Sequence, residues 1–174
     1  MLLRPASLAD VPALIKLLRA TVPLMQAMGN QQWDETYPNE TVFNTDIAKG
    51  QLWVAEMDGQ IAGVSAITTD QDPEYAMVGW DLTEPAIVTH RLAVGPAFRG
   101  RGVGKALLMQ AEAVARQRGI SVLRIDTSAE NSVTQRLFPQ LGYVYAGETS
   151  LGLRPGLRVF CYEKRLPATA VLSI

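Results

Sequence analysis

A glycine-rich turn between a β-forming run and the strongest helical pattern in the sequence limits what these 174 residues can become. The segment from Val94 to Lys105, which contains Arg99-Gly100-Arg101-Gly102-Val103-Gly104, joins a run over Ile87 to Val94 to a helix expected over Val103 to Arg118. Helix starts offer free N–H groups and a positive dipole end, and glycines let an anion approach the backbone closely. Arg99, Arg101 and Lys105 add charge at the same place. Together these residues describe an anion cradle suited to a pyrophosphate. A Walker A loop is excluded twice, because Arg99 stands where it needs its first glycine and Ala106 where it needs Ser or Thr. A dinucleotide fingerprint is excluded as well, because Lys105 takes the place of its third glycine.

The rest of the chain reads as a mixed α/β layer. Leu2 to Arg4 is a short apolar start, and Ser7-Leu8-Ala9-Asp10 has the spacing of a capping box. Val11, Leu14, Ile15, Leu17 and Leu18 recur at helical spacing, and residues 21–30 read as a second helix. Pro38 stops the stretch before it, and a third helix is expected from Glu40 to Lys49. Leu52 to Met57, Asp58-Gly59 and Gln60 to Thr68 give the clearest hairpin signal. Residues 70–85 read as a loop or a broken strand. Beyond the long helix, a strand is expected over Ser121 to Asp126 and a helix over Asn131 to Leu141. Two strands close the chain, near Tyr143 to Gly147 and Leu157 to Arg165. With no repeat and no linker, residues 1–174 are expected to form one domain.

Charge divides the sequence. Residues 1–90 hold 12 acidic and 4 basic side chains, while residues 91–174 hold 5 acidic and 12 basic ones, for an overall charge of −1. Two readings fit this division: chance clustering of solvated charges, or a second half that handles an anion and a first half that faces something cationic. A nucleic-acid partner is disfavoured, since it would call for a basic excess over the whole domain. No apolar run approaches the ~20 residues of a membrane span. The start of the chain lacks a secretory apolar segment, and the single Cys161 forms no internal disulfide. The expected compartment is the cytoplasm.

Arg99, Gly102 and Gly104 fill the pattern R-x-x-G-x-G, and here the chain resembles the GNAT family of N-acetyltransferases. The resemblance extends to His90-Arg91-Leu92-Ala93-Val94, to Ile125-Asp126-Thr127, and to Asn131 followed by Gln135-Arg136-Leu137-Phe138 and Leu141-Gly142-Tyr143. It covers residues 2–165. It implies a central mixed, mostly antiparallel sheet with helices on both faces and splayed middle strands. It also implies acetyl-CoA as cosubstrate, with no metal, and makes a homodimer a common outcome.

Carried over by position, Leu92, Ala93 and Val94 would meet the pantetheine arm, and Arg99 to Lys105 (Arg99, Gly100, Arg101, Gly102, Val103, Gly104, Lys105) the pyrophosphate. Asn131 and Phe138 would complete the cofactor contacts. The reaction implied is direct attack of a primary amine on the thioester. His90 and Glu84 are the candidate bases, with Asp126 and Glu130 as rivals. The sequence departs from the family at Phe138, where many members carry a tyrosine acid; Tyr143, Tyr145 and Tyr162 are the substitutes on hand. Trp33, Tyr37, Tyr75 and Trp80, set among acids, would receive a cationic acceptor, a small-molecule amine or a peptide. Two other functions fit the same motifs. One is a non-catalytic acyl-CoA-binding sensor, and the other an acyltransferase with a longer acyl group or a hydroxyl acceptor.

Overall fold

The structure is a computed structural model and describes residues 1–150, 152 and 155–167. It opens with β1 (Leu2–Pro5), then α1 (Val11–Ala27), α2 (Glu40–Ala48), β2 (Leu52–Met57) and β3 (Gln60–Thr68). After β4 (Ala86–Val94) come α3 (Val103–Gln117), β5 (Val122–Ser128), α4 (Ser132–Gln140), β6 (Val144–Ser150) and β7 (Arg158–Arg165). The strands form one sheet in the order β1-β2-β3-β4-β5-β7-β6. The β4–β5 pair is parallel and the other five pairs are antiparallel. This is the mixed, mostly antiparallel sheet that the resemblance implied.

Helices cover both faces. Leu14, Leu17, Leu18 and Val22 of α1, with Phe43 of α2, pack on Leu52, Val54, Val64 and Ala66. On the other face Leu108, Ala111, Val114 and Ala115 of α3 pack on Ile67, Ile87, Leu123 and Ile125. Each fully buried Leu or Ile contributes roughly 1.5–3 kcal/mol relative to exposure, so these two layers fix how the strands stack. The hairpin between β2 and β3 turns through Asp58 and Gly59, both left-handed with φ of 52° and 72°. Paired left-handed residues give the turn whose twist matches that of the strands.

The two helices expected over residues 11–30 are one. Pro23 lies inside α1, whose buried stripe runs unbroken through Val11, Leu14, Leu17, Leu18, Thr21 and Val22. Burial of that stripe outweighs the hydrogen bond lost at the proline. The capping box forms: the Asp10 carboxylate accepts the Ser7 N–H at 2.7 Å and the Ser7 hydroxyl at 3.1 Å. Hydrogen bonds from Arg4 hold the same carboxyl down to about 2, tying β1 to the start of α1. Between β3 and β4, Pro73–Val78 forms a short 3₁₀ helix closed by Gly79. No helix among the described residues is long and apolar enough to cross a membrane.

Candidate active site

The site begins where two neighbouring strands part. β4 and β5 pair from Ala86↔Val122 to Thr89↔Ile125, and there the pairing stops. β4 stays with β3 as far as Gly63↔Val94, while β5 stays with β7 as far as Ser128↔Val159. A wedge therefore opens beside residues 90–94. The β3–β4 register shifts across Arg91, whose φ of 55° marks a bulge. A left-handed non-glycine residue is costly unless its surroundings hold it. Arg91 is held firmly: Nε and Nη2 each donate to the Asp46 carboxylate at 2.7 Å, and Nη1 donates to the Tyr37 hydroxyl at 3.2 Å. Bulges bend a strand and raise its twist, which carries the end of β4 away from β5.

A cavity of about 610 Å³ extends from the wedge to the start of α3. Leu92, Ala93 and Val94 line one wall, and Arg99, Gly100, Gly102, Val103, Gly104 and Lys105 line the end. Gly102 precedes the helix with φ of 79°, and the first helical bond runs from Ala106 N–H to Gly102 C=O at 3.0 Å. The N–H groups of Val103, Gly104 and Lys105 precede that bond and have no acceptor within the helix. A Cβ added at Gly100 or Gly102 would meet nothing within 4 Å, so the protein leaves this cradle clear. Arg101 turns aside to Asp58 at 3.2 Å and to the Phe98 ring. A second cavity, of about 660 Å³, lies on the other side of the wedge and includes Trp33, Tyr37, Asp70, Asp72, Glu74, His90 and Asp126. Met25, Leu92, Asn131 and Thr134 line both cavities, so the two meet at the wedge.

The sequence model for the acetyltransferase (GNAT) family matches residues 16–143. The chain belongs to the GNAT family. It is similar to the uncharacterized N-acetyltransferase YesJ of Bacillus subtilis, at 26% identity over 85% of this chain and 84% of that protein. Among solved structures, a GNAT-family acetyltransferase from Streptococcus agalactiae shares 25% identity with a TM-score of 0.81, covering 95% of each chain. The fold is shared with yncA of Salmonella typhimurium, solved with its cofactor acetyl-CoA, at a TM-score of 0.68 and 21% identity, over 99% of this chain and 98% of that one.

Of the GNAT positions carried over by sequence, Arg101 alone in the glycine-rich loop lies outside the lining of the first cavity. Asn131 is the cap of α4 rather than its first residue, and its side chain accepts from the Thr134 N–H at 3.3 Å. Phe138 lies against the second cavity, but its ring belongs to the core, packed on Tyr143 and Tyr162. Tyr143, Tyr145 and Tyr162 line neither cavity. Tyr143 is buried with its hydroxyl unpartnered, and burial pushes its proton affinity up. Burial also raises the Cys161 thiol to about 12, so it is a core residue and no nucleophile.

Glu84, the other candidate base, is at the wrong end of β4. Its carboxylate accepts two bonds from Arg165 at 2.8 Å, with Arg124 at 3.3 Å, and these cations hold it below the ordinary carboxylate range. It lines neither cavity. Trp80 is also outside both: it stands edge-on to Tyr75 with the Arg124 guanidinium 4.8 Å from its ring centre. Tyr75 is fully buried and lines neither cavity; its hydroxyl donates to Asp126, which lines the second. Trp33 and Tyr37 do line it.

Asp126, a rival candidate base in the sequence, lines the second cavity. Its carboxylate accepts from the Tyr75 hydroxyl at 2.5 Å and from the Gln32 amide at 3.3 Å. Burial raises its pKa, against the lowering effects of Tyr75 and of nearby His90. His90 Nε2 lies 3.0 Å from the Asp70 carbonyl oxygen. A carbonyl only accepts, so Nε2 carries the hydrogen, and in the neutral ring Nδ1 is the nitrogen left to accept a proton. The signal for Asp126 was its place at the end of an apolar strand, where a carboxylate is costly without a use.

A carboxyl whose folded pKa lies above its unfolded value destabilises the fold at high pH and has no such effect below the unfolded value. Asp126→Asn is therefore expected to raise the melting temperature at pH 8, with the advantage fading as pH falls through the carboxylate range. Melting curves over that pH range check the sign.

Proposed function

We propose that this chain moves the acetyl group of acetyl-CoA to a primary amine on a small cationic molecule, by direct attack in a ternary complex. The observation that carries this reading is the wedge beyond Thr89 and Ile125, which joins a cleared phosphate cradle to an acid-lined cavity. The charge division of the sequence has the same sense. Arg99 and Lys105 flank the cradle, while Asp70, Asp72, Glu74 and Asp126 line the acceptor side. Residues 1–174 act as a single catalytic domain.

In this reading the free N–H groups at the start of α3 hold the pyrophosphate, and the unpaired edge of Leu92 to Val94 bonds the pantetheine arm as an added strand. Acetyl-CoA supplies the thioester when bound. A backbone N–H near Val94, held in place by the bulge, donates to the carbonyl oxygen as charge develops there. The acceptor ammonium enters among Asp70, Asp72 and Asp126, beside Trp33 and Tyr37. His90 Nδ1 takes its proton, and Asp126 stabilises the imidazolium that results. The C–N bond forms as the C–S bond breaks, and the second proton of the attacking nitrogen passes through water to the departing thiolate; with a thiol pKa of about 8.5 this needs no protein acid, so Phe138 is no obstacle.

The core placement of Phe138, and the absence of Tyr143, Tyr145 and Tyr162 from the lining of either cavity, also favour a second reading, an acyl-CoA-binding sensor without turnover. A thiol-release assay over a panel of amines separates the two. Turnover is expected with cationic amines and is expected to be weak with anionic ones; CoA binding without turnover on any amine would favour the sensor. His90→Gln keeps a donor for the Asp70 carbonyl but removes the base, and is expected to lower kcat by roughly 10²-fold or more with CoA affinity unchanged. Gly102→Val forces a β-branched residue to φ of 79° at the cradle and is expected to abolish CoA binding by calorimetry. Near-normal affinity in that variant would count against the assigned cradle.

A further inference from the structure

The acceptor cavity has one wall that no regular helix or strand of the sheet supplies. Residues 69–85 connect β3 to β4 and bring Asp70, Asp72 and Glu74 to the cavity. Successive β5 residues alternate between faces, so Arg124 and Asp126 share the face opposite Leu123 and Ile125, which pack under α3. Both reach the same segment. Asp126 takes the Tyr75 hydroxyl near its middle, and Arg124 takes its two ends.

The Arg124 side chain is 1% exposed, deep burial for a group that is always charged. Such a cation persists only when its donors are matched. Nε donates to Glu163 at 2.9 Å, Nη1 to the Gln71 side chain and to the Asp81 carbonyl at 3.0 Å, and Nη2 to Glu84 at 3.3 Å. Its plane also lies against Trp80. Gln71 in turn donates to the carbonyls of Leu82 and Glu84 at 3.2 and 3.0 Å, so the segment's ends are bonded to each other as well as to β5. None of these contacts touches the cradle or the wedge.

We infer that Arg124 is a positioning residue for the acceptor: it clamps residues 69–85 onto β5 and thereby sets the acidic wall that recognises the amine. This rests on the acetyl-transfer reading above. The fork geometry is what the clamp uses, because a guanidinium presents five donors in fixed directions and an ammonium presents three from one point. Lysine at this position keeps the charge and loses the simultaneous grip on Glu163, Gln71 and Asp81. The clamp acts on acceptor binding and leaves the CoA side unaffected.

The test compares Arg124→Lys with the wild type on an amine that the wild type acetylates. The amine KM is expected to rise roughly ten-fold or more, the effect of losing hydrogen bonds to a charged group, with the CoA Kd unchanged by calorimetry. Amide hydrogen exchange is expected to quicken across residues 69–85 and to stay as in the wild type in α3. Glu84→Gln, at the exposed end of the clamp, is a milder variant that protects the test against misfolding, and a smaller rise in KM is expected there. An unchanged amine KM in both variants, or a loss of CoA affinity in proportion to the KM effect, would overturn the clamp. A wild type that acetylates no amine would instead sink the functional reading, and exchange over residues 69–85 in Arg124→Lys would still decide whether Arg124 holds the wall.

Discussion

Backbone N–H and C=O groups need partners, and a strand that leaves its neighbour gives them up. The end of β4 does so beyond Thr89, where β5 continues with β7 alone. Main-chain groups exposed in a wedge lined by Leu92, Val94 and Leu137 form an edge that suits an extended, amide-bearing arm. The meeting of the two cavities at residues 90–94 follows from that parting. A sheet fully paired through this region would close the wedge between them.

Two arginines divide the work of keeping the sheet half closed and half open. Arg91 holds the bulge on β4 through a buried pair with Asp46 of α2, which fixes the strand at the point where it turns away. Arg124 holds the segment over residues 69–85 against β5, where the ladder to β4 is still intact. Each guanidinium is largely withdrawn from water and donates from all three of its nitrogens, which is the condition under which burial of an ion is tolerated. Glu84 and Glu163 also bond Arg165, so the clamp is one part of a larger surface network.

What was legible in the sequence is local in origin. The hairpin at Asp58-Gly59, the capping box at Ser7 and the cradle before α3 depend on backbone conformation and spacing within a few residues, and each appears where those patterns put it. What was hidden depends on partners far along the chain. Residues 21–30 read as a separate helix because the core that holds α1 together through Pro23 includes Phe43, Val54 and Val64. Glu84 looked like a base until Arg165, 81 residues away, was found on its carboxylate. Trp80 looked like a substrate contact, yet it packs edge-on to Tyr75 with the Arg124 guanidinium over its ring. Asp126 gains its character from Tyr75 and Gln32, and neither is adjacent in sequence.

The parting of β4 from β5 is most directly tested by amide hydrogen exchange of the intact protein with and without coenzyme A. Protection is expected at the amides of residues 92–94 and 100–105, the wedge edge and the cradle, with β1 and β6 unchanged. Protection that appears elsewhere, or none at those two segments at saturating coenzyme A, would contradict the placement of the acyl donor between the separated strands.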